Sequence, residues 1–569
     1  MANFFEDNKD IQSYLAHPLL REIVKLREGD FADAATLPWA PEDVDDALDN
    51  YRRTLSLVGQ ICGDFVAPRA EEVDLEGPHY CDGAVRYPRG IAESLEMFAK
   101  SDLMGFTLPR KYGGLNMPVT VYTSAVEMIS RADAALMTIV GLQDIAETIN
   151  SFADDSIKDE YLPRFASGKV TGAMVLTEPD AGSDLQAVQT RGLAATQDAQ
   201  GHWHISGVKR FITNGCGDVL LVLARSEPGV ADGRGLSLFL VEKGPGVRVR
   251  RIENKMGIHG SPTCELQFDD ADGKLIGRRK FGLIKYVMSL MNGARLGIAA
   301  QGLGIAEAAY REGLLYARDR EQFGKAIIEF PAVYDMLVRM KMNIEAARAL
   351  VYWTAMMVDF EKLLERKMET DKNLRGEQAG YAKVAAALTP MAKYYASELS
   401  IRAAYDAQQI HAGSGFMKEY PIERLYRDAR ITTIYEGTTQ LQVVAAVGGV
   451  LAGSLQPQFD EWKAKAWPGH LQPLAGKLLA ARQRLDACIE YVKARNSKEY
   501  TDFYARKLVD VAMETCIGYL LLDQAAADAG KAVTATMFVN DLVPRLEMNA
   551  AYVTSGDTSM IDAHKQVLA

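Results

Sequence analysis

The chain has 569 residues, 48% hydrophobic and 24% charged, with a formal net charge of −11. That length is enough for more than one core, and the acidic balance argues against a polyanionic partner such as nucleic acid or an anionic membrane. No apolar run approaches the roughly 20 residues of a bilayer span. The six cysteines are scattered without metal-ligand spacing, so reduced structural thiols and no metal site are expected.

Residues 1–40 read as a leader segment; Met1 to Asp10 carry acids and no basic-then-apolar pattern, so a cytoplasmic protein is expected. Over 41–169 apolar residues recur at steps of three and four, as in Val121, Ala125, Met128 and Ile129, which predicts an N-terminal helical domain. Pro109-Arg110-Lys111-Tyr112-Gly113-Gly114 interrupts it as a turn. Over 170–280 the pattern changes to short apolar runs punctuated by glycine. Val219–Ala224 and Leu236–Val241 suit strands of a small barrel or sheet. Helical periodicity returns over 281–447, rich in Ala and in Met residues that suit core filling. In 448–569, Leu471, Leu474, Leu478, Leu485, Ile489 and Val492 fall at helical intervals and a second stretch runs from Phe503 to Ala529, predicting two or three further helices.

Five short runs carry the chemistry. Arg427 to Gln440 reads R-D-A-R-I-T-T-I-Y-E-G-T-T-Q, with Glu436 between an aromatic and Gly437 where a helix breaks. A Glu there can leave the helical path, and Thr can cap the helix that follows. In an apolar cavity its pKa would rise towards neutrality, which suits a general base; an isolated E-G-T-T reads more simply as an ordinary surface helix end. Leu176 to Asp184 reads L-T-E-P-D-A-G-S-D, small and hydroxyl-rich, able to approach a ring edge or phosphate. Lys209 to Gly215 reads K-R-F-I-T-N-G, Arg318 to Gly324 reads R-D-R-E-Q-F-G, and Gln409 to Phe416 reads Q-I-H-A-G-S-G-F. Each could be an ordinary turn when taken alone.

Together, in this order and spacing, the runs resemble the signatures of the acyl-CoA dehydrogenase flavoproteins over about residues 50–447. The length beyond 447 is similar to the long branch of that family, with its C-terminal helical extension. The resemblance implies a mainly α fold with a central β domain: an N-terminal helical domain, a β-barrel-like middle domain, a C-terminal four-helix bundle and extra C-terminal helices. It implies FAD as cofactor, with Leu176, Thr177, Ser183, Phe211 and Thr213 at the flavin. Arg320, Phe323, Gln409, Gly413, Thr438 and Gln440 would complete the FAD site. Arg320 suits the pyrophosphate, since its fork donates paired hydrogen bonds. Phe211 stands where the family has Trp, Ala412 where it has the first of two glycines, and Arg110 where it has an acid.

The implied reaction is α,β-dehydrogenation of an acyl-CoA thioester to the 2,3-enoyl-CoA, Glu436 removing the α proton while hydride passes to flavin N5. Ser183, Asn292, Arg295, Glu436 and Gly437 would meet the substrate, and Leu142, Gln143 and Met291 are candidate pocket walls. Some relatives carry the base at the position of Arg295, which leaves the role here to Glu436. An electron-transfer flavoprotein is the implied acceptor, and a homodimer rather than a tetramer is expected. An acyl-CoA oxidase using O2 would share the fold and base. A DNA-binding alkylation-response relative predicts a basic C-terminal region, against the acids Asp460, Glu461, Asp486, Glu490, Asp502, Asp510, Glu514, Asp523 and Asp528 here.

Overall fold

The computed structural model describes residues 2–193 and 202–569. They divide into two compact units, Met1–Ala308 with Lys418–Ile431, and Ala309–Met417 with Thr432–Ala569.

The first unit opens with helices α1 (Lys9–Tyr14) and α2 (Pro18–Glu28), so the leader is structured. Asn8 caps α1 by accepting from two backbone amides, Pro18 starts α2, and Gly29 ends it at φ 52. Phe5, Ile11, Leu20, Ile23 and Val24 are buried. Next come α3 (Val44–Gln60), α4 (Ala70–Glu76), the hairpin β1 (His79–Cys81) and β2 (Ala84–Arg86), and α5 (Arg89–Lys100). They are followed by α6 (Val119–Ala132), α7 (Ala134–Gly141), α8 (Ile145–Phe152) and α9 (Asp155–Ala166). All four residues whose spacing predicted α6 are buried.

The strands β3 (Gly172–Val175), β4 (Arg191–Gly192), β5 (Trp203–Thr213), β6 (Val219–Arg225), β7 (Leu236–Glu242), β8 (Val247–Ile252) and β9 (Thr263–Ile276) form one seven-stranded sheet. Its order is β3-β6-β4-β5-β9-β7, β8 lies on β9, and pairing of β6 with β7 closes it into a barrel. The closure explains why β6 and β7 are continuous apolar runs and do not alternate with polar residues. Leu221, Leu223, Leu238 and Leu240 pack outward with Tyr161, Leu162 and Phe165. Leu220, Val222, Phe239 and Val241 pack inward with Trp203, Leu266 and Phe268. Both faces are covered, so both are hydrophobic.

Helix α10 (Met288–Asp319) leads into the second unit and ends at the hairpin β10 (Glu321–Gln322) and β11 (Lys325–Ala326). The helices α11 (Pro331–Lys367) and α12 (Arg375–His411), 37 residues each, pack against one another. Helix α13 (Ile422–Thr432) precedes α14 (Thr439–Leu451). Beyond it lie α15 (Gln456–Ala464), α16 (Gln472–Arg495), α17 (Lys498–Ala527), α18 (Ala532–Thr554) and α19 (Ser559–Val567). That is five helices in place of two or three. The short α15 has too few turns to show a period, and α18 contains Pro544, which reads as a break. Trp462 of α15 stacks on Tyr519 of α17 with ring centroids 5.1 Å apart, and its indole donates to Asp523 at 2.6 Å. Helix α17 also packs against α11 and α14, which joins the extension to the earlier helices of the unit.

Candidate active site

In the first unit, the loop after β3 and the end of β5 are fastened together by a buried pair. The Lys209 ammonium, 0% exposed, lies 2.9 Å from Glu178 and donates to the Leu176 carbonyl at 2.8 Å. Glu178 also accepts from the backbone amides of Gln189 and Thr190 at 2.7 and 2.9 Å. Burial pulls Lys209 down to about 8 in spite of Glu178, while Glu178, which burial opposes, is held below its ordinary range by Lys209 and those amides. The Arg210 amide then donates to the Thr177 carbonyl at 2.9 Å.

This lock sets the loop beside a β-bulge. The register of β5 on β9 shifts between Lys209 and Ile212, and inside the shift Phe211 takes φ 59 and turns its ring out, 53% exposed. A bulge re-aims a side chain that regular pleating would bury. The half-buried Thr177 and Thr213 flank this segment, and their hydroxyls have no hydrogen-bond partner among the described residues. An outward aromatic ring beside two open hydroxyls fits the edge and face of a flavin. Leu176 is buried, whereas Ser183 is exposed on the loop beyond the Glu178–Ala181 bridge. On α10, Arg295 donates to the Asn292 amide oxygen at 3.1 Å, so the two residues expected to meet CoA also meet each other. Of the candidate pocket walls, Gln143 is buried and donates to the Val170 carbonyl at 3.1 Å; Leu142 and Met291 are half-buried.

In the second unit, Glu436 sits in a tight elbow. It has φ 55 and Gly437 has φ 94, consecutive left-handed residues after the break of α13. The Thr439 amide donates to the Thr433 carbonyl at 3.0 Å and closes the loop at its neck. Thr438 caps α14 by accepting from the Leu441 amide at 3.4 Å. The Gly437 carbonyl accepts from Lys393 at 2.8 Å and from Gln442 at 2.9 Å, and the Glu436 carbonyl accepts from Gln442 at 3.1 Å. Lys393 and Gln442 are fully buried, so the turn is held from inside while Glu436 remains half-buried. A left-handed Glu costs on the order of 1 to 3 kcal/mol and persists only when its surroundings over-determine it.

A second cluster forms around the β10–β11 hairpin. Phe323 (φ 53) and Gly324 (φ 79) make its two-residue turn and leave the Phe323 ring 95% exposed. A cleft of about 490 Å³ is lined by Tyr316, Arg320, Phe323, His411, Gly413 and Ser414. Tyr316 stacks on His411 at 4.2 Å, and burial draws His411 below its ordinary pKa. Arg320 is exposed, and a Cβ placed on Gly413 would meet nothing within 4 Å. A guanidinium, an open backbone loop and the exposed Phe323 ring suit a phosphate beside an aromatic. The sequence expectations thus gather into Arg320, Phe323 and Gly413 at this cleft, with Gln409 exposed nearby on α12, and Glu436, Gly437, Thr438 and Gln440 at the elbow.

Sequence reasoning missed residues that hold these groups: Glu178, Lys209, Lys393, Gln442, and Glu398, which accepts from the Thr439 hydroxyl at 2.7 Å. One signal was there to be read. Lys393 is a lone cation within the apolar helical run Ala385–Ala396, which marks a charge that must find a buried partner. The Arg427–Asp428 part of the signature serves the first unit instead. Arg427 pairs with Asp74 at 2.7 Å, Asp428 accepts from the Ile258 amide, and burial pushes Asp428 to about 6.

Comparison with known proteins gives the family. The chain matches the family descriptions "Acyl-CoA dehydrogenase, N-terminal domain" over 49–169, "middle domain" over 173–271, "C-terminal domain" over 284–447 and "Acyl-CoA dehydrogenase C terminal" over 452–555. It is 34% identical over 494 residues to 3-methylmercaptopropionyl-CoA dehydrogenase of Ruegeria pomeroyi, covering 80% of this chain and 82% of that protein. Butyryl-CoA dehydrogenase from Megasphaera elsdenii superposes with a TM-score of 0.61 at 32% identity, covering 71% of this chain and 98% of that one. An acyl-CoA dehydrogenase complexed with FAD from Bacillus anthracis shares the fold with a TM-score of 0.74 at 24% identity, over 89% of this chain and 88% of that one. With its three core domains and most of its C-terminal extension matched, the chain belongs to the acyl-CoA dehydrogenase family of FAD-binding oxidoreductases.

Proposed function

We propose that this protein dehydrogenates an acyl-CoA thioester to the 2,3-enoyl-CoA, with Glu436 as the base that takes the α proton. The observation that carries the reading is the elbow, where consecutive left-handed residues present one carboxylate from a turn clamped by Lys393 and Gln442. Bound FAD supplies the acceptor for the β hydride. Leu176, Thr177, Ser183, Phe211 and Thr213 would hold the flavin, Phe211 covering less ring area than the family's Trp. Arg320 would take the pyrophosphate, with Phe323, Gln409, Gly413, Thr438 and Gln440 around the remainder. Ser183, Asn292, Arg295 and Gly437 would meet the substrate, as the family resemblance implies. Electrons leave to an electron-transfer flavoprotein, and the working form is a cytoplasmic homodimer; no helix of the described residues is long and apolar enough to cross a membrane.

The test is Glu436→Gln, which preserves shape and removes the base. FAD and acyl-CoA binding are retained, while anaerobic flavin reduction falls by ~10²- to 10⁴-fold. Reduction at the wild-type rate removes Glu436 from the mechanism. Turnover in air without an added acceptor would identify an oxidase instead.

A further inference from the structure

We infer that the C-terminal extension positions the Glu436 loop, through a line of hydrogen bonds and one ion pair from Asp510 and Arg506 on α17, by way of Tyr394 and Glu398 on α12, to Thr439 at the loop's neck. The inference rests on the reading of Glu436 as the base and adds a role for the extension, which a chain ending at 447 would lack.

Every link lies within the second unit. The Tyr394 hydroxyl donates to Asp510 at 2.7 Å, and Arg506 Nε donates to the Tyr394 oxygen at 3.0 Å. The same guanidinium lies 5.2 Å from the centre of the Tyr394 ring, and its Nη2 is 3.7 Å from Glu398. The other Glu398 oxygen accepts from the Thr439 hydroxyl at 2.7 Å. Thr439 is the first residue of α14, and its amide closes the loop on Thr433. One residue therefore makes the neck of the elbow and receives the end of the line.

The charges give the line its direction. Glu398 and Asp510 are two carboxylates on either side of Tyr394, and Arg506 is the cation that reaches Tyr394 and Glu398 together. Without it Glu398 loses its cationic partner, and the side chain that accepts from Thr439 becomes free to change rotamer. Lys393 and Gln442 hold the loop by its carbonyls; Glu398 holds the neck on α12 through the side chain of Thr439. Arg506 and Glu398 are positioning residues, acting through Thr439 on where the carboxylate of Glu436 rests. A carboxylate displaced by an ångström still binds its substrate but transfers the proton slowly.

The experiment uses full-length, FAD-loaded protein mixed anaerobically with whichever of butyryl-CoA, octanoyl-CoA and phenylpropionyl-CoA reduces the wild-type flavin fastest. Arg506→Met and Thr439→Val are expected to slow reduction about 10- to 100-fold, with KM within roughly threefold. Thr439→Ser, which keeps the hydroxyl, restores the wild-type rate. The double variant Arg506→Met/Thr439→Val is no slower than the worse single one, as for two links of one line. A purely structural role would instead lower the thermal midpoint and leave the reduction rate of the FAD-loaded protein unchanged. Wild-type rates in both Arg506→Met and Thr439→Val, with Glu436→Gln inactive, overturn this inference alone. Wild-type reduction in Glu436→Gln overturns the base reading and this inference with it. If Arg506→Met does not fold, the Val and Ser variants of Thr439 decide.

Discussion

Arg110 is buried against Glu28, its guanidinium donating to both carboxylate oxygens at 2.5 and 2.9 Å from 82 residues away. Asp33 adds a contact at 3.2 Å, and Tyr51 donates to Glu28 at 3.3 Å. Arg110 is the position where the family pattern has an acid; here the charge is reversed and the leader supplies the complement. Removing one member of a buried pair leaves the other uncompensated, at a cost of about 3 to 5 kcal/mol. Glu28→Ala should therefore lower the thermal midpoint by several degrees. Replacing both residues with apolar ones, Glu28→Met and Arg110→Leu, should recover most of the loss. A single variant that melts within about 2 °C of wild type would show that the pair contributes little.

Ala412 has φ 53 and ψ −132, a region that a Cβ makes costly, and it stands where the family pattern has glycine. The strain costs about 1 to 3 kcal/mol. Glycine would relieve it while adding roughly 0.4 to 1 kcal/mol of unfolded-state entropy. Ala412→Gly is expected to raise the thermal midpoint, with FAD content unchanged or higher. A lower midpoint would mean that the Ala412 methyl makes contacts worth more than the strain.

Strands β6 and β7 were legible because both faces of a closed barrel are covered and the runs are apolar throughout. The Glu436 break was legible because Gly and two Thr residues follow it directly. What was not legible depends on distant pairing. The outward turn of Phe211 arises from a register shift against β9, some fifty residues on, and nothing local in K-R-F-I-T marks it. The reversal at Arg110 reads as a departure until Glu28 is seen beside it. Lys209 lies inside a strand whose alternation sends it inward, but its partner Glu178 belongs to another segment. The line from Arg506 to Thr439 likewise joins three helices that no spacing in the sequence connects.

Glu514 on α17 is pushed to about 7 by burial against the pull of Arg545, with Asp510 adding to the rise. One of its oxygens meets Arg545 at 3.3 Å, and the other is buried with no partner among the described residues. The folded state therefore holds this proton more tightly than the unfolded state, whose value is 4.5. Its stabilisation is fully present below 4.5 and is lost as pH rises through about 7, a loss on the order of 3 kcal/mol. Glu514→Gln stays neutral at every pH. Its thermal midpoint should exceed that of wild type at pH 8 and match it near pH 4.5. An equal offset at both pH values would exclude titration of Glu514 as the cause.

Removal of the extension tests its part in assembly. Helices α15 to α19 follow Gly453, and α17 covers sides of α11 and α14 that would otherwise face solvent. Both helices carry buried apolar residues, among them Leu350 on α11 and Val447 and Val450 on α14. A bare apolar helix face of this kind invites a second copy of the chain. In the full-length protein the extension occupies the face, and a homodimer is the expected state by light scattering. A chain cut after Gly453 keeps every run proposed for the flavin site, from Leu176 to Phe416, and the Glu436 elbow. It is expected to run as a tetramer or to aggregate. A full-length tetramer would show that the extension does not block further assembly, and a truncated chain that stays a monodisperse dimer would show that the uncovered face seeks no partner.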